Sequence, residues 1–424
     1  MSFPRYPEYK DSGVEWLGAV PKHWDVTALK RGFDVTLGKM LQPDTTGPDD
    51  ELLPYLRAAN IQWDGIDSTD IKQMWLSKRD LAQLRLEYGD LLVSEGGDVG
   101  RSCMWAAELE YCYFQNSVNR VRARDGHSNR YLYYWMATIK GKGYIDVLCN
   151  KSTIAHFTAE KVAAVPVPFP PTTEQTKIAA FLDHETAKID ALVAEQRRLM
   201  ELLKEKRQAV ISNAVTRGLN PDAPMKPSGV EWLGGVPAHW EVVPLRWSAK
   251  CCSGDGLSSS EVESIGDDEH IVQVIGGNGL MGFTDQKNID HSLLAVGRVG
   301  ALCGNVHLVH PPAWITDNAI VLDPDSSIFN LQFLSMALRS RNLNDIASKT
   351  AQPLITGTQV GDQRIPCPPL LEQEAIAVHL TEETAKLDIL TTEAQHAIDL
   401  LQERRTALIS AAVTGQIDVR GIIK

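Results

Sequence analysis

A tandem repeat constrains this chain more than any other feature of its sequence. The segment SGVEWLGAVPKHWDV begins at Ser12 and returns as SGVEWLGGVPAHWEV at Ser228, 216 residues later. A second segment, VPFPPTTEQTKIAAFLDHETAKID from Val167, returns as IPCPPLLEQEAIAVHLTEETAKLD from Ile365, 198 residues later. Repetition at this spacing predicts that one structural plan is built twice. The regions between the shared segments are only faintly alike, so the two copies carry diverged inserts.

The second shared segment predicts a long helix in each copy. Apolar residues recur there every seven residues in two series offset by four, and neither Gly nor Pro interrupts them. About 40 residues would form a rod of roughly 60 Å, which cannot bury its apolar stripe alone. We expect the two helices to pair as an antiparallel coiled coil; the alternative is that each packs on its own globular domain. The predicted seam comprises Ile178, Leu182, Ile189, Leu192, Leu199, Leu203 and Val210, with Ile376, Leu380, Leu387, Leu390, Leu401 and Leu408.

Between the helices, short β-rich runs alternate with amphipathic helices, which predicts a mixed α/β fold. LPYLRAANI, DLLVSEG, NSVNRVRA, HIVQVIGG, LLAVGRVG and NAIVLD favour strands, whereas YLYYWMATIKGK and LQFLSMALRSR favour helices. We expect the repeated Trp16, Trp24, Trp232 and Trp240 to be packing anchors rather than base-stacking platforms. The predicted organisation is a first domain over 1–170, a spacer helix over 171–218, a second domain over 219–368, a second spacer helix over 369–416 and a tail over 417–424.

Loops rich in small, amide and basic residues make both globular domains candidates for reading DNA. Arg and Lys match the major-groove edge of guanine and Asn and Gln that of adenine, although any of them can instead hold phosphate or remain solvated. The strongest candidates are Arg101, Arg298 and the pair Lys151 and Lys349, because they lie in features echoed by both halves. The full set is Lys39, Arg57, Asn60, Arg101, Asn116, Asn119, Arg120, Lys151, Ser152 and His156, with Asn278, Lys287, Arg298, Asn305, Asn318, Lys349, Gln352 and Thr356.

Composition and missing motifs limit the other possibilities. The formal net charge is −12, so any affinity for DNA must come from local patches or from a basic partner. The sequence has no phosphate-binding GxxxxGK[ST] loop, no glycine-rich dinucleotide motif, no amino-methyltransferase signature and no HExxH. We therefore expect neither a catalytic site nor a bound cofactor. The seven cysteines lack CxxC spacing, which predicts no metal site and a reducing compartment.

The residues quoted above resemble one protein family. SGVEWLGAVPKHW, the turn PFPPTTEQ and the helix end AVISNAVTRG, with their second copies SGVEWLGGVPAHW, PCPPLLEQ and ALISAAVTGQ, are similar to specificity subunits of type I restriction-modification systems. The resemblance implies two target-recognition domains, each reading one half of a bipartite site in double-stranded DNA. It implies that the paired helices set the gap between the half-sites.

The same resemblance implies partners that carry the chemistry. Two modification subunits would methylate adenine with S-adenosylmethionine, and two restriction subunits would add ATP-driven translocation and cleavage. The chain itself would then be a non-catalytic cytoplasmic subunit; its first residues, MSFPRYPEYKDSGVEW, show no secretory leader, and no apolar run reaches a membrane span. The alternative function is a protein scaffold that joins partners through the coiled coil without reading sequence.

Overall fold

The computed structural model describes residues 3–149, 156–348 and 352–422. Its internal contacts divide the chain into two compact units: unit 1 comprises Met1–Gln196 and His396–Lys424, and unit 2 comprises Arg197–Gln395. Each unit therefore contains one globular domain, a portion of the first long helix and a portion of the second. Within the described ranges, no helix is both long enough and apolar enough to cross a membrane.

The globular domain of unit 1 contains two main sheets. The four-stranded sheet is antiparallel with the order β10-β9-β12-β4, and the three-stranded sheet has the order β11-β5-β8, with β11 parallel to β5. Strands β1–β2, β3–β13 and β6–β7 form antiparallel pairs. The elements are β1 (Tyr9–Asp11), β2 (Ala19–Pro21), β3 (Asp25–Ala28), β4 (Phe33–Leu37), β5 (Glu51–Leu56), β6 (Ile61–Gln62), β7 (Gly65–Ile66), β8 (Lys72–Leu76), α1 (Lys78–Leu84), β9 (Leu91–Ser94), β10 (Ser102–Met104), β11 (Tyr113–Phe114), β12 (Val118–Ala123), α2 (Asn129–Gly141), α3 (Tyr144–Leu148), α4 (Ala159–Ala164), β13 (Pro166–Phe169) and the long helix α5 (Thr172–Arg217).

Unit 2 repeats this arrangement. Its four-stranded antiparallel sheet has the order β17-β23-β20-β21, and its three-stranded sheet has the order β19-β18-β22, with β22 parallel to β18. Strands β14–β15 and β16–β24 form antiparallel pairs. The elements are β14 (Met225–Pro227), β15 (Gly235–Pro237), β16 (Glu241–Pro244), β17 (Ala249–Ser253), β18 (Val272–Gly276), β19 (Gly279–Thr284), β20 (Leu293–Gly297), β21 (Val306–Val309), β22 (Ala313–Ile315), β23 (Ala319–Pro324), α6 (Leu331–Arg341), α7 (Gly357–Gly361), β24 (Arg364–Cys367) and the long helix α8 (Leu370–Val413).

The sequence patterns explain the central elements of both units. Strands β9 and β20 lie inside their sheets and are buried along their whole length, so they read as continuous apolar runs rather than alternating ones. Helices α2 and α6 begin where Ser128 and Asn330 accept hydrogen bonds from the backbone N–H groups of Tyr131 and Phe333. All of the predicted strand runs and both predicted helices are present, so the mixed α/β prediction is confirmed.

A buried glutamine fastens each long helix to its globular domain. The Gln175 amide donates to Pro170 O at 2.9 Å and accepts from the backbone N–H of Ser128 at 3.1 Å. Gln373 repeats both bonds with Pro368 O at 2.8 Å and the N–H of Asn330 at 2.8 Å. The motif PP-x-x-EQ therefore encodes a rigid joint between the last strand of the domain and the helix. Trp24 and Trp240 are fully buried near these joints, which confirms that they are packing anchors.

The long helices run antiparallel in both units. In unit 1, the Arg405 guanidinium lies 2.9 Å from Asp190, and the Tyr131 hydroxyl bonds to both Pro168 O and Val413 O. The chain therefore advances from Pro168 to Asp190 while α8 recedes from Val413 to Arg405. In unit 2, Arg207 lies 3.3 Å from Asp388, and Gly218 lies beside Glu372, which gives the same direction. The two ion pairs occupy equivalent positions of the repeat.

The burial of residues along the helix seam confirms one predicted series and shows that the other was partly wrong. In the series that begins at Leu182 in α5 and at Leu380 in α8, most residues are buried or half-buried. The buried residues are Leu182, Ile189, Leu203, Leu380, Leu387 and Leu408, and the half-buried ones are Val210 and Leu401. In the other series, Ile178 and Ile376 are buried. The prediction was wrong for Leu192, Leu199 and Leu390, which are 45%, 42% and 46% exposed. Their next neighbours along the helix face inward instead: Val193 is buried, and Met200 and Thr391 are half-buried.

Candidate nucleic-acid interface

Four connections of unit 1 meet where its two main sheets adjoin. The backbone N–H of Asn116 bonds to Lys39 O at 2.8 Å, and that of Glu95 bonds to Ser117 O at 2.9 Å. The Ser117 hydroxyl accepts from the N–H of Ala58 at 3.1 Å. These bonds join the ends of β4, β5 and β9 to the start of β12. We refer to the group formed by Lys39, Arg57, Glu95, Arg101, Asn116 and His156 as loop cluster 1.

The cations of loop cluster 1 are held by neighbouring acceptors. Lys39 pairs with Asp80, and Arg57 lies 2.6 Å from Asp70. The Arg101 guanidinium donates to Gln62 Oε1 at 3.1 Å and to Ala58 O at 3.2 Å. The sequence-predicted residues Lys39, Arg57, Arg101, Asn116 and His156 therefore come together, with the basic side chains oriented before any ligand arrives. His156 is exposed, with Nδ1 3.9 Å from the Glu95 carboxylate.

Unit 2 assembles an equivalent group from its own strand ends. The backbone N–H of Arg298 bonds to Asn318 O at 3.0 Å, and the N–H of Gly297 bonds to Asn305 O at 2.8 Å. The Asn305 side chain donates to Asn278 Oδ1 at 3.4 Å. The Arg298 guanidinium donates to Ser253 Oγ at 3.0 Å and to Asp317 O at 3.3 Å. We refer to Asn278, Arg298, Asn305 and Asn318 as loop cluster 2.

Backbone hydrogen bonds align the two clusters residue by residue. The Asn116 N–H bonds to Lys39 O and the Asp317 N–H bonds to Asp255 O, so Lys39 and Asp255 occupy the same place. The residue before each is a glycine, Gly38 or Gly254, and a Cβ there would overlap the carbonyl of the neighbouring strand. One framework therefore presents a cation in unit 1 and a carboxylate in unit 2 at this position.

Three predicted base-reading residues are buried and bonded within unit 1. Asn60 is 2% exposed and its amide donates to Asp67 O. Asn119 is fully buried and donates to Phe157 O. Arg120 is 8% exposed and donates to the carbonyls of the residues at 83 and 85, and burial lowers the pKa of its guanidinium. In this structure their polar groups hold loops in place and are not offered to a base edge.

The remaining predicted residues lie at the periphery or outside the described part of the chain. Lys287 is exposed on the β19–β20 connection, and Gln352 is exposed just after the second undescribed gap. Thr356 caps α7 by accepting from the N–H of Gln359. The pair Lys151 and Lys349, predicted among the strongest candidates with Arg101 and Arg298, lies outside the described residues together with Ser152.

The sequence analysis did not predict Glu95, an acidic residue of loop cluster 1, because only basic and amide side chains were expected to read bases. Its side chain is 15% exposed, and Oε2 is buried with no hydrogen-bond partner among the described residues. Burial raises the pKa of this carboxyl group, and the nearby His156 opposes that shift. An acidic residue at the end of a buried apolar strand was the available signal, because a buried acceptor without a donor is costly.

The fold and the two loop clusters define a repeat protein that presents two chemically different surfaces from one scaffold. A family profile described as "Type I restriction modification DNA specificity domain" matches residues 24–199 and 240–398. The chain therefore belongs to the type I restriction-modification DNA specificity domain family. It is a DNA-recognition protein with two such domains, as the sequence resemblance implied.

Relatives agree with this assignment along the whole chain. The putative type I restriction enzyme MjaX specificity subunit of Methanocaldococcus jannaschii is 22% identical over 95% of this chain and 96% of its own length. The EcoKI specificity subunit of Escherichia coli K12 is 23% identical over 94% and 90%. The EcoprrI specificity subunit of Escherichia coli is 32% identical over 34% of each chain.

Solved structures share the fold. A chain from a study of complex assembly and conformational transition of the type I R-M system superimposes with a TM-score of 0.71 at 15% identity, covering 95% of this chain and 99% of the other. The HsdS subunit from Thermoanaerobacter tengcongensis gives a TM-score of 0.56 at 16% identity, covering 94% and 98%.

Proposed function

We propose that each domain reads one half of a bipartite DNA site, that the paired helices set the gap between the halves, and that the chain does so without catalysing a reaction. One observation carries the proposal: equivalent strand ends present loop cluster 1 and loop cluster 2, whose donors and acceptors differ. A single framework with two chemistries is what recognition of two different half-sites requires, since base edges are distinguished by their donor and acceptor patterns.

The modification subunits would dock on the long helices. Six large apolar side chains of the helices are exposed in unit 2, namely Leu199, Leu202, Leu371, Val378, Ile389 and Leu390, and two in unit 1, Leu192 and Leu400. Exposed apolar residues recurring along one element favour a protein partner. We propose two modification subunits that bring S-adenosylmethionine, two restriction subunits that bring ATP-driven cleavage, and assembly in the cytoplasm.

The acidic charge is consistent with such an assembly. With a formal net charge of −12, the chain alone would neutralise few phosphates, whereas partner subunits would supply the missing cations. We expect a steep salt dependence of DNA binding in the assembled complex and weak binding by this chain alone. Tight, sequence-specific binding by the isolated chain would contradict this division of labour.

The gap is tested by lengthening both helices. Insertion of seven residues into α5 and seven at the facing point of α8 preserves the seven-residue seam and adds about 10 Å. Because base pairs rise about 3.4 Å each, we expect the unread gap to widen by about three base pairs with both half-sites unchanged. Sequencing of methylated adenines in cells that express the variant with its modification subunits measures this. A site with the original gap would exclude the helices as the ruler.

The independence of the domains is tested by replacement. Exchange of residues 19–165 for the matching region of another specificity subunit should change one half-site completely and leave the other intact. The same methylation map reports the outcome, and the wild-type chain is the control. A change in both half-sites would show that the domains do not read separately.

A scaffold without sequence reading is the second candidate, favoured by the exposed apolar residues on the helices. The variants Arg101→Ala and Arg298→Ala distinguish the two functions, because both side chains lie in the loop clusters and neither lies on a helix. Loss of DNA binding with normal assembly supports recognition. Unchanged DNA binding in both variants would favour the scaffold.

A further inference from the structure

We propose that Glu95 is a specificity-determining residue, which accepts a hydrogen from the amino group of cytosine or adenine in the half-site read by unit 1, at the place where Arg298 donates to guanine in the half-site read by unit 2. This inference rests on the proposed function and specifies the base chemistry of its two loop clusters.

Glu95 and Arg298 occupy the same place in their domains. The Glu95 N–H bonds to Ser117 O at 2.9 Å, and the Arg298 N–H bonds to Asn318 O at 3.0 Å. Their carbonyls accept from matching residues of the segment before α4 and α7, Phe157 and Ile355, both at 2.9 Å. These four backbone hydrogen bonds show that Glu95 and Arg298, which carry opposite charges, occupy equivalent positions.

The Glu95 carboxylate lacks the donors that a structural carboxylate normally has. Oε2 has no hydrogen-bond partner in the described ranges, and Oε1 lies 3.9 Å from His156 Nδ1, beyond hydrogen-bonding distance. Burial is the main cause of the raised pKa of this group. The carboxylate therefore has unused acceptor capacity, and the 15% of the side chain that is exposed is the part that a donor from a ligand can reach.

A carboxylate at this position has one favourable role toward DNA. It repels phosphate, so it gains nothing from the sequence-independent backbone contacts that Lys and Arg make. It accepts hydrogen bonds only, and the major-groove edges of cytosine and adenine offer amino donors.

Arg298 has the complementary chemistry. Two protein acceptors, Ser253 Oγ and Asp317 O, are served by the same nitrogen, Nη1. A guanidinium carries five N–H donors and no acceptor, so donors remain for the O6 and N7 atoms of guanine, which an arginine contacts in pairs. The equivalent positions of Lys39 and Asp255 also carry opposite charges, so the two loop clusters differ in charge at a second position beside that of Glu95 and Arg298.

The test is selection from a randomised DNA duplex library by the full chain assembled with the modification subunits of its own system. The variants are Glu95→Gln, Glu95→Arg and Arg298→Gln, and the control is Glu110→Gln, an exposed carboxylate on the β10–β11 connection. We expect Glu95→Gln to relax one position of one half-site by about 5- to 100-fold, the range of a good base contact. Glu95→Arg should shift that position toward guanine, and Arg298→Gln should relax a position in the other half-site only.

Several outcomes would overturn the proposal. If Glu95→Gln and the control select the same two half-sites as the wild type, Glu95 reads no base. If Glu95→Gln weakens binding equally for all sequences while assembly and thermal unfolding are unchanged, its role is electrostatic rather than specific. If the wild-type complex itself selects no sequence, the proposed function fails, and that result is distinct from the failure of Glu95 alone.

Discussion

In both units a glutamate in the first turn of a long helix binds side chains of the globular domain, but the number of its hydrogen bonds differs. In unit 1 the Glu174 carboxylate accepts from the Tyr6 hydroxyl at 2.5 Å and the Trp24 indole at 3.1 Å, and lies 2.9 Å from His23 Nε2. In unit 2 the equivalent Glu372 lies 2.8 Å from His239 Nε2, and the Trp240 indole N–H has no partner among the described residues.

Covalent continuity explains the difference. In unit 2 the chain runs from α5 through Gly218 directly into β14, so the helix end and the strand are already tethered. In unit 1 the corresponding pieces are far apart in sequence: the N–H of Asp418 bonds to Pro4 O at 2.8 Å, and Tyr9 donates to Gly415 O at 3.0 Å. Segments that meet without a peptide link must offset the entropy of their association with additional contacts.

The largest expected difference between the units lies at the two helix ends. Gly415 and Gly218 both adopt a left-handed backbone, with φ of 76° and 75°. Alanine costs about 1–2 kcal/mol there in either unit. At Gly415 its Cβ would also overlap the Pro21 ring, whereas at Gly218 it would lie 3.1 Å from the Trp240 ring and 3.2 Å from the Glu372 carboxylate, a tight contact without overlap. We expect Gly415→Ala to cost about 1–3 kcal/mol more than Gly218→Ala. Urea unfolding measures both; equal costs would contradict the overlap.

The carboxylates provide the next comparison. Glu174 is 5% exposed and holds three polar groups, so Glu174→Gln should cost about 1.5–3 kcal/mol, the value of hydrogen bonds to a charged group. Glu372 is more exposed and makes one such contact, so Glu372→Gln should cost about 1 kcal/mol or less. Denaturant unfolding monitored by tryptophan fluorescence distinguishes them. A larger effect at Glu372 would refute the explanation from covalent continuity.

A smaller, pH-dependent difference separates α2 from α6. Tyr134 and Met336 are both the sixth residue after the helix cap, and burial, followed by a hydrogen bond to Asp183, raises the pKa of Tyr134 to about 12. The unfolded chain loses this proton near pH 10, so the folded state binds more protons between pH 10 and 12 and stability falls as pH rises through that window.

Tyr134→Phe isolates this contribution. The stability of the wild type relative to Tyr134→Phe should decline between pH 10 and 12 by about 1 kcal/mol, because solvent screens the interactions of Tyr134 with the partly exposed Asp183 and Arg130, and Met336→Leu should show no such trend. Urea unfolding at a series of pH values gives both differences. A constant difference for Tyr134→Phe would mean that the tyrosine titrates normally in the folded protein.

The seam shows how far local pattern predicts packing. The seven-residue repeat was sufficient to predict two long helices and the series that contains Leu182, Leu203 and Leu387. It could not decide between Leu192 and Val193, because both are apolar and lie only about 100° apart on the helix. The position of the partner helix decides which of the two is buried. The same limit applies to Leu199 and Met200.

The loops show a second limit. Asn119 and Asn278 were both predicted to read bases, yet the first is buried within β12 and bonded to Phe157 O and the second is exposed beside Asn305. The sequence contains no local signal for this difference, since it depends on which distant segment crosses each strand end. Glu95 is a different case: its place at the end of a buried apolar strand was a local signal, but only basic and amide side chains were expected to read bases.

What the amino-acid sequence determined by itself is the duplicated plan, the element types and the existence of paired helices, because repeats, apolar periodicity and helix caps are properties of neighbouring residues. What only the tertiary structure decided is which side of each helix faces its partner and which charges stand at equivalent points of the two domains. Those properties arise where segments separated by tens to hundreds of residues come into contact, and short-range patterns carry no information about such contacts.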